Sequence, residues 1–250
     1  MPTNQILAVW GSPCSAKTVT SVKLAAGLSA RKKNVVLVLC GAAAPAMPTI
    51  LKTKSAPEGS LGAVLSAPGL TQELVLKNCV PFGKNPYFSL LGYKMGENVF
   101  SYAEYTRERA VDMLVLLRHI ADYVIVDCSS ILTGDVLSTA ALEVSDAALR
   151  LCSCDLKTIS FFASALPLVA DRKFKPDRQI RVLSGTRACP DGSGYEDAFG
   201  GVKYRLPYLP AIEEQSATLS LTEPLTGKTE KRYEQEIAAI TKKVFGVGDE

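Results

Sequence analysis

Residues 11–18 have the residue types and spacing of a phosphate-binding loop. The segment reads Gly-Ser-Pro-Cys-Ser-Ala-Lys-Thr, follows the hydrophobic run Ile6–Trp10 and precedes a segment with helical spacing. It matches the pattern G-x-x-x-x-G-K-[ST] except at Ala16. In such a loop, backbone N–H groups and a helix N-terminus surround phosphate oxygens, a lysine contacts the outer phosphates, and a hydroxyl binds Mg²⁺. We predict that Lys17 and Thr18 fill the last two roles with ATP or ADP.

Two residues of this loop are unusual for that role. Ala16 costs about 1–2 kcal/mol if the loop needs a left-handed backbone there, because L-residues are disfavoured in that region. Pro13 has no backbone N–H and removes one donor. We expect weakened binding that is not abolished. The nucleotide-binding residues predicted in this segment are Gly11, Ser12, Pro13, Cys14, Ser15, Ala16, Lys17, Thr18 and Val19.

A carboxylate that suits Mg²⁺ follows a second hydrophobic run. Asp127 closes the sequence Tyr-Val-Ile-Val, so it lies at the carboxyl end of a predicted strand, where open parallel sheets bind ligands. The sequence predicts that Thr18 and Asp127 hold Mg²⁺, partly through water. Ser129 and Ser130 follow closely and have hydroxyls that could contact a phosphate.

Several cysteines also follow predicted strands, which leaves a metal or redox site as an alternative. Cys14, Cys40 and Cys128 should lie near the phosphate loop, and Cys152 and Cys154 end another strand. No Cys-x-x-Cys pair is present, and the spacing fits no standard zinc pattern. Buried free thiols are the simpler interpretation.

Composition limits the class of protein. The chain has 250 residues, of which 47% are hydrophobic, and a formal net charge of +3. A charge this small gives no argument for a nucleic-acid partner. Seven cysteines, an odd number, suit a reducing compartment. The N-terminus lacks the features of a signal peptide, and no apolar run approaches the roughly 20 residues that span a bilayer. We expect a cytoplasmic protein with no integral membrane segment.

The elements that would position these residues alternate along the chain. Hydrophobic runs predict strands, and segments with helical spacing separate them, which predicts an α/β fold with a mostly parallel sheet between layers of helices. We expect one domain over residues 1–250. The predicted strands are Ile6–Trp10, Val35–Cys40, Phe88–Leu91, Tyr123–Val126, Ala147–Cys152 and Ile180–Leu183, followed by the short run Val202–Leu206. The predicted helices are Thr18–Arg31, Leu61–Ser66, Gln72–Lys77, Tyr102–Ile120, Asp135–Val144, Leu156–Ala170 and Ile212–Leu219.

Three further segments break or end this alternation. Prolines make residues 41–85 an irregular excursion, and residues 190–201 are rich in glycine. Residues 228–246 have an amphipathic helical pattern, which favours packing against the domain over contact with a membrane surface. His119, the only histidine, and the basic run 171–178 are interpreted as surface features.

The order of these motifs resembles the ParA/MinD family of P-loop ATPases from Gln5 to about Leu221. The matching features are the loop at residues 11–18, the strand Val-Val-Leu-Val-Leu-Cys, the strand Tyr-Val-Ile-Val-Asp, and Tyr-Arg-Leu-Pro-Tyr-Leu-Pro near the end. The resemblance implies a three-layer αβα sandwich of the P-loop NTPase type. It also implies that residues 206–209, with Pro207 and Tyr208 at their centre, lie beside the adenine ring.

The chain departs from that family at catalytic positions. The family's signature lysine falls on Ser12, and the acidic residues that end its second strand are replaced by Leu39, Cys40 and Gly41. The resemblance therefore implies a weak ATPase at most. Proteins of the TadZ/CpaE type, which help to place pili at the cell pole, also have atypical phosphate loops.

We therefore hypothesise a nucleotide-binding switch in partitioning or localisation, which acts with a protein partner or as a homodimer. One alternative is a nucleotide-free scaffold that acts through protein contacts. Another is a cysteine-based metal or redox protein.

Overall fold

The computed structural model describes residues 5–52, 58–186, 195–197 and 199–247. They form an eight-stranded sheet in the order β3-β4-β2-β5-β1-β6-β7-β8. Every neighbouring pair is parallel except β3 and β4. The strands are β1 (Ile6–Gly11), β2 (Val35–Leu39), β3 (Val80–Phe82), β4 (Asn85–Gly92), β5 (Tyr123–Asp127), β6 (Ala147–Cys152), β7 (Ile180–Thr186) and β8 (Tyr204–Pro207).

Helices cover both faces of this sheet. One hydrophobic core contains residues of α2–α6, and the other contains residues of α1 and α8. The helices are α1 (Lys17–Ala30), α2 (Leu61–Ser66), α3 (Gln72–Asn78), α4 (Arg107–Ile120), α5 (Val136–Val144), α6 (Leu156–Ala165), α7 (Pro210–Ala217) and α8 (Lys228–Phe245). The predicted α/β fold with a mostly parallel sheet between two helical layers is confirmed.

The central strands are almost entirely apolar because the helices bury them on both faces. All residues of β1, β2 and β5 are buried. A sheet covered on both sides favours continuous hydrophobic runs over alternation, which is why these strands could be recognised in the sequence.

Four predictions of element bounds need correction. The helix predicted to start at Tyr102 begins at Arg107, because the Thr106 hydroxyl accepts a hydrogen bond from Arg109 N at 3.2 Å and caps the helix there. The helix predicted over Leu156–Ala170 ends at Ala165 and continues as a 3₁₀ turn that contains Pro167, which has no backbone N–H.

The other two corrections concern the last third of the chain and the excursion. The helix predicted over Ile212–Leu219 is Pro210–Ala217, and it starts on a proline whose fixed φ suits the first helical position. The excursion contains the two predicted short helices, but it ends in an unpredicted strand, β3, which pairs antiparallel with β4 through a turn at Gly83 with φ 58°. The glycine-rich patch at 190–201 lies largely outside the described residues.

The C-terminal helix packs on the domain, as its pattern favoured. Tyr233, Ile237, Ile240 and Val244 are all buried, and Tyr123 on β5 meets Phe245 edge to face with ring centroids 4.7 Å apart. In the part of the chain that the structure describes, no helix is both long enough and apolar enough to cross a membrane.

Candidate nucleotide-binding site

The loop between β1 and α1 follows Gly11, where the backbone of β1 lies very close to the backbone of β6. A Cβ on Gly11 would lie 2.1 Å from the carbonyl oxygen of Leu151. Beyond it, Ala16 has φ 57° and ψ 30°, the left-handed conformation in which the sequence predicted a cost. Cys14 has φ 59°, which was not predicted. Because each such position is disfavoured by about 1–2 kcal/mol, contacts with the surrounding structure must hold the loop in this shape.

Those contacts come from β7, from α6 and from within the loop. The Ser184 hydroxyl donates to Ser15 O at 2.5 Å. The Ser15 hydroxyl donates to Ser12 O at 2.7 Å. Ser12 is buried, with its hydroxyl 3.0 Å from that of Thr158 in the first turn of α6. These hydrogen bonds hold the buried side of the loop, while Pro13 and Cys14 are exposed.

The Lys17 side chain bridges the loop and the segment that follows β5. Its Nζ donates to Ser12 O at 2.9 Å and to the Ser130 hydroxyl at 2.6 Å. Burial lowers the pKa of Lys17, and the nearby Asp127 carboxylate opposes this shift. The ammonium group thus joins the loop to the segment after β5, and its two partners are neutral oxygens that an anion could replace.

The first turn of α1 offers backbone donors at the same place. Ala16 occupies the N-cap position and supplies no side-chain cap. The first N–H groups of a helix have no intrahelical acceptor, so those of Lys17, Thr18 and Val19 are open to an anion. Val19 itself is half-buried. The positive end of the helix and the Lys17 ammonium therefore act in the same direction.

Thr18 and Asp127, which the sequence predicts to hold Mg²⁺, are in direct contact. The Thr18 hydroxyl donates to Asp127 Oδ2 at 2.6 Å. Asp127 Oδ1 is buried and has no hydrogen-bond partner among the described residues. Because a buried carboxylate oxygen without a partner is unfavourable, this atom suits contact with a cation or with a donor bound there.

The electrostatics of Asp127 point to a cation. Burial raises the pKa of Asp127 to about 6, although the Thr18 hydroxyl and Lys17 oppose the shift. Mg²⁺ is held by carboxylates and hydroxyls together with waters and phosphate oxygens. The donor set of Thr18 and Asp127 fits such an ion, which when bound would neutralise phosphate charge.

Solved structures of two ATPases share the fold of this chain. A ParA-family ATPase from Chlorobium tepidum superposes with a TM-score of 0.73 at 15% identity, over 95% of this chain and 97% of that one. MinD from Pyrococcus horikoshii, solved with Mg-ADP, superposes with a TM-score of 0.71 at 12% identity, over 96% of this chain and 95% of that one. The chain has the fold of the ParA and MinD ATPases.

A third example of the ParA/MinD fold extends the comparison to ATP. An ATP complex of a McdA variant from Cyanothece superposes with a TM-score of 0.68 at 14% identity, over 100% of this chain and 99% of that one. No protein-family model matches the sequence, and no curated protein matches it significantly.

The predicted adenine-binding residues lie at the carboxyl end of β8, at the same edge of the sheet as the loop. Pro207 ends β8, and Tyr208 follows it with its hydroxyl 2.6 Å from Glu213 Oε2 on α7. In the sheet, β6 and β7 separate β8 from β1.

A lysine that sequence reasoning missed connects α1 to α7. Lys23 is a buried residue of α1, and its Nζ donates to Gln215 Oε1 on α7 at 2.8 Å and to Glu223 O at 2.9 Å. Glu234 on α8 lies 3.8 Å away. Burial lowers the pKa of Lys23, which the two glutamates oppose. Lys23 therefore fixes the helix that follows the loop against the helix that follows Tyr208.

The strand-end cysteines are mostly buried thiols. Cys40 and Cys128 are neighbours, because Cys40 N donates to Asp127 O at 3.0 Å, and burial raises the pKa of both well above the ordinary thiol value. Burial also raises the pKa of Cys152 to about 12. Without a bound metal, such thiols stay protonated at neutral pH. Over residues 5–52, 58–186, 195–197 and 199–247, no group of three or more His, Cys, Asp or Glu side chains is placed to hold a metal ion.

The two remaining sequence features lie away from the loop. His119 is exposed near the end of α4. In the basic run 171–178, the Lys175 ammonium donates to Ser145 O at 2.7 Å, at the carboxyl end of α5. Lys175 thus satisfies a helix-terminal carbonyl.

Proposed function

We propose that this protein binds ATP or ADP with Mg²⁺ in the loop at residues 11–18. The observation that carries the proposal is the convergence of three groups on one uncapped helix N-terminus. These are the Lys17 ammonium, held only by neutral oxygens, the Thr18 hydroxyl, and the partnerless Asp127 Oδ1. A triphosphate with a divalent cation complements all of them at once.

Each residue has a distinct task in this proposal. Lys17 contacts the β- and γ-phosphates, Thr18 binds Mg²⁺ directly, and Asp127 binds it through water. Pro207 and Tyr208 border the adenine. Support for a nucleotide also comes from the MinD and McdA structures, which share the fold and were solved with Mg-ADP and with ATP.

The catalytic equipment for hydrolysis is sparse, so the proposal is a weak or non-hydrolysing ATPase. Cys40 and Gly41 follow β2, and neither has a carboxylate that could orient water. Ser12, where the resemblance places the family's signature lysine, is 1% exposed and bonded to Thr158. It cannot reach a neighbouring subunit's phosphates.

A contact of Lys17 supports the role of a switch. A phosphate that binds the Lys17 ammonium competes with Ser130 for it, and Ser130 belongs to the segment between β5 and α5. Ile131, next along that segment, is 61% exposed. Nucleotide binding would thus change the surroundings of an exposed hydrophobic side chain, on a surface that suits a protein partner or a second copy.

The biological role proposed is partitioning or localisation within the cytoplasm. It rests on the shared fold with proteins that are described as a cell division ATPase and a plasmid partition protein. A scaffold that binds no nucleotide is the alternative, and it makes the opposite prediction in the experiment below.

Thermal unfolding with and without millimolar Mg-ADP or Mg-ATP tests the proposal. A bound ligand stabilises the folded state, so ligand at about 100 times its Kd raises the midpoint by roughly 5–10 °C. We expect this rise in the wild type and in Lys33→Ala, a control at an exposed lysine, but not in Lys17→Ala. An unchanged midpoint in the wild type would favour the scaffold.

A further inference from the structure

Two arginines lie side by side on the sheet face opposite α1. Arg150 on β6 and Arg181 on β7 are direct partners in the parallel register. Arg150 packs beside Phe162 and Phe199, which belong to the hydrophobic core on the α6 side of the sheet. This pair is therefore on a different face from the helix that follows the phosphate loop.

Arg150 is unusual because its charge is buried and poorly paired. The residue is only 8% exposed. Its Nη2 donates to Phe199 O at 3.3 Å, and its guanidinium carbon lies 5.6 Å from the centre of the Phe162 ring. Its Nε is buried and has no hydrogen-bond partner in the described part of the chain. A guanidinium has five N–H donors, and the Nε donor of Arg150 is one that the described structure leaves without an acceptor.

Arg181 adds a second charge without adding an acceptor. Its Nη1 donates to the same atom, Phe199 O, at 3.4 Å. Among the described residues, no carboxylate forms an ion pair with either arginine. Glu196 pairs with Arg205, whose Nε donates to Glu196 Oε1 at 2.7 Å. Burial lowers the pKa of Arg150, and the nearby Arg181 lowers it further, whereas Cys152 opposes the shift.

The pair reaches the surface through Arg181, because Arg150 itself is buried. Arg181 is partly exposed. Gly200 lies against it with φ 72°, and a Cβ at that position would come within 2.9 Å of Arg181 Nη1. A glycine there keeps the space beside the guanidinium free.

We propose that Arg150 and Arg181 form a second ligand site, which binds a small oxyanion of the phosphate class. Two planar guanidinium groups present parallel donors that match the oxygens of such an anion. The anion supplies the acceptor that Arg150 Nε lacks and neutralises two like charges. The burial of Arg150 selects a small anion over an extended polyanion. This proposal does not depend on nucleotide binding.

Thermal unfolding in sodium phosphate, compared with sodium chloride at equal ionic strength, tests the site. The reference protein is Lys17→Ala, because this substitution removes phosphate binding at the loop and separates the two sites. We expect phosphate at about twenty times its Kd to raise the midpoint of Lys17→Ala by roughly 4–7 °C.

Added substitutions assign that rise to the pair. Arg150→Met, which keeps a long apolar side chain, should abolish the phosphate-dependent rise, and Arg181→Gln should abolish or halve it. Arg178→Gln, at an exposed arginine in the same part of the chain, should leave it unchanged. If Arg150→Met does not fold, Arg181→Gln alone decides the question.

Two results would overturn the proposal. One is equal midpoints in phosphate and chloride, and the other is a rise of undiminished size in Arg181→Gln.

Discussion

Replacing Asp127 by asparagine should stabilise the nucleotide-free protein while it removes Mg²⁺-dependent binding. Asparagine keeps the shape of the side chain and an oxygen that can accept from the Thr18 hydroxyl. It removes a buried negative charge whose Oδ1 has no hydrogen-bond partner in the described structure. A residue that opposes stability but completes a ligand site is expected at functional positions.

The magnitude follows from the pKa of Asp127. Burial raises it from the ordinary 3.8 to about 6. A raised folded-state pKa means that the folded protein favours the protonated form, so stability falls as pH rises from about 4 through 6. Ionised Asp127 then costs about 3 kcal/mol at pH 7.5, roughly half of that at pH 5 and less than about 1 kcal/mol at pH 4.

The assay is urea unfolding of the wild type and Asp127→Asn, without nucleotide or Mg²⁺, at pH 7.5 and pH 5. We expect the variant to be more stable by up to about 3 kcal/mol at pH 7.5, with this advantage roughly halved at pH 5. Asp122→Asn, at an exposed carboxylate just before the same strand, controls for the general effect of removing a negative charge. A variant that is less stable than the wild type by the same amount at both pH values would refute the reasoning.

Three further predictions concern residues around the loop. Ala16→Gly should raise the free energy of unfolding by about 0.5–1 kcal/mol, because glycine tolerates the left-handed backbone; Ala26→Gly, within α1, should lower it by about 1 kcal/mol in the same urea titration. Lys23→Met should destabilise the protein by about 1–3 kcal/mol, since Gln215 Oε1 and Glu223 O lose a buried donor. Hydrogen exchange of α7 should then accelerate, and unchanged exchange would contradict a positioning role. Ser130→Ala should tighten nucleotide binding about 2- to 10-fold in a calorimetric titration, because Lys17 gives up one hydrogen bond fewer, and weaker binding would contradict the competition.

The parts of the fold that the sequence predicted are those that local pattern determines. Buried parallel strands such as β1 and β5 are unbroken apolar runs, and α8 has a clear amphipathic stripe. Helix starts were less certain because one hydroxyl decides them, as Thr106 does for α4. β3 was missed because three residues that include a proline carry little strand signal, and its pairing with β4 depends on the turn at Gly83.

Some residues of the candidate site could likewise be predicted from local sequence, and others could not. Lys17, Thr18 and Asp127 were found because their chemistry requires fixed residue types next to a strand end. Lys23 was not found, because a lysine in a helix usually lies on the surface, and its burial depends on Gln215 and Glu223, about two hundred residues later in the chain. Arg150 did carry a signal, since a charge in the middle of the apolar strand Ala-Ala-Leu-Arg-Leu-Cys is unusual, but its meaning depends on Arg181 and Phe199.

Calorimetric titration of ADP into the protein, with and without Mg²⁺, tests the central claim most directly. The account predicts saturable binding with one site per chain, weakened at least tenfold without Mg²⁺ or in Asp127→Asn, and lost in Lys17→Ala while Lys33→Ala binds normally. Absence of binding to the folded wild type at millimolar ADP, or equal binding by Lys17→Ala, would contradict it.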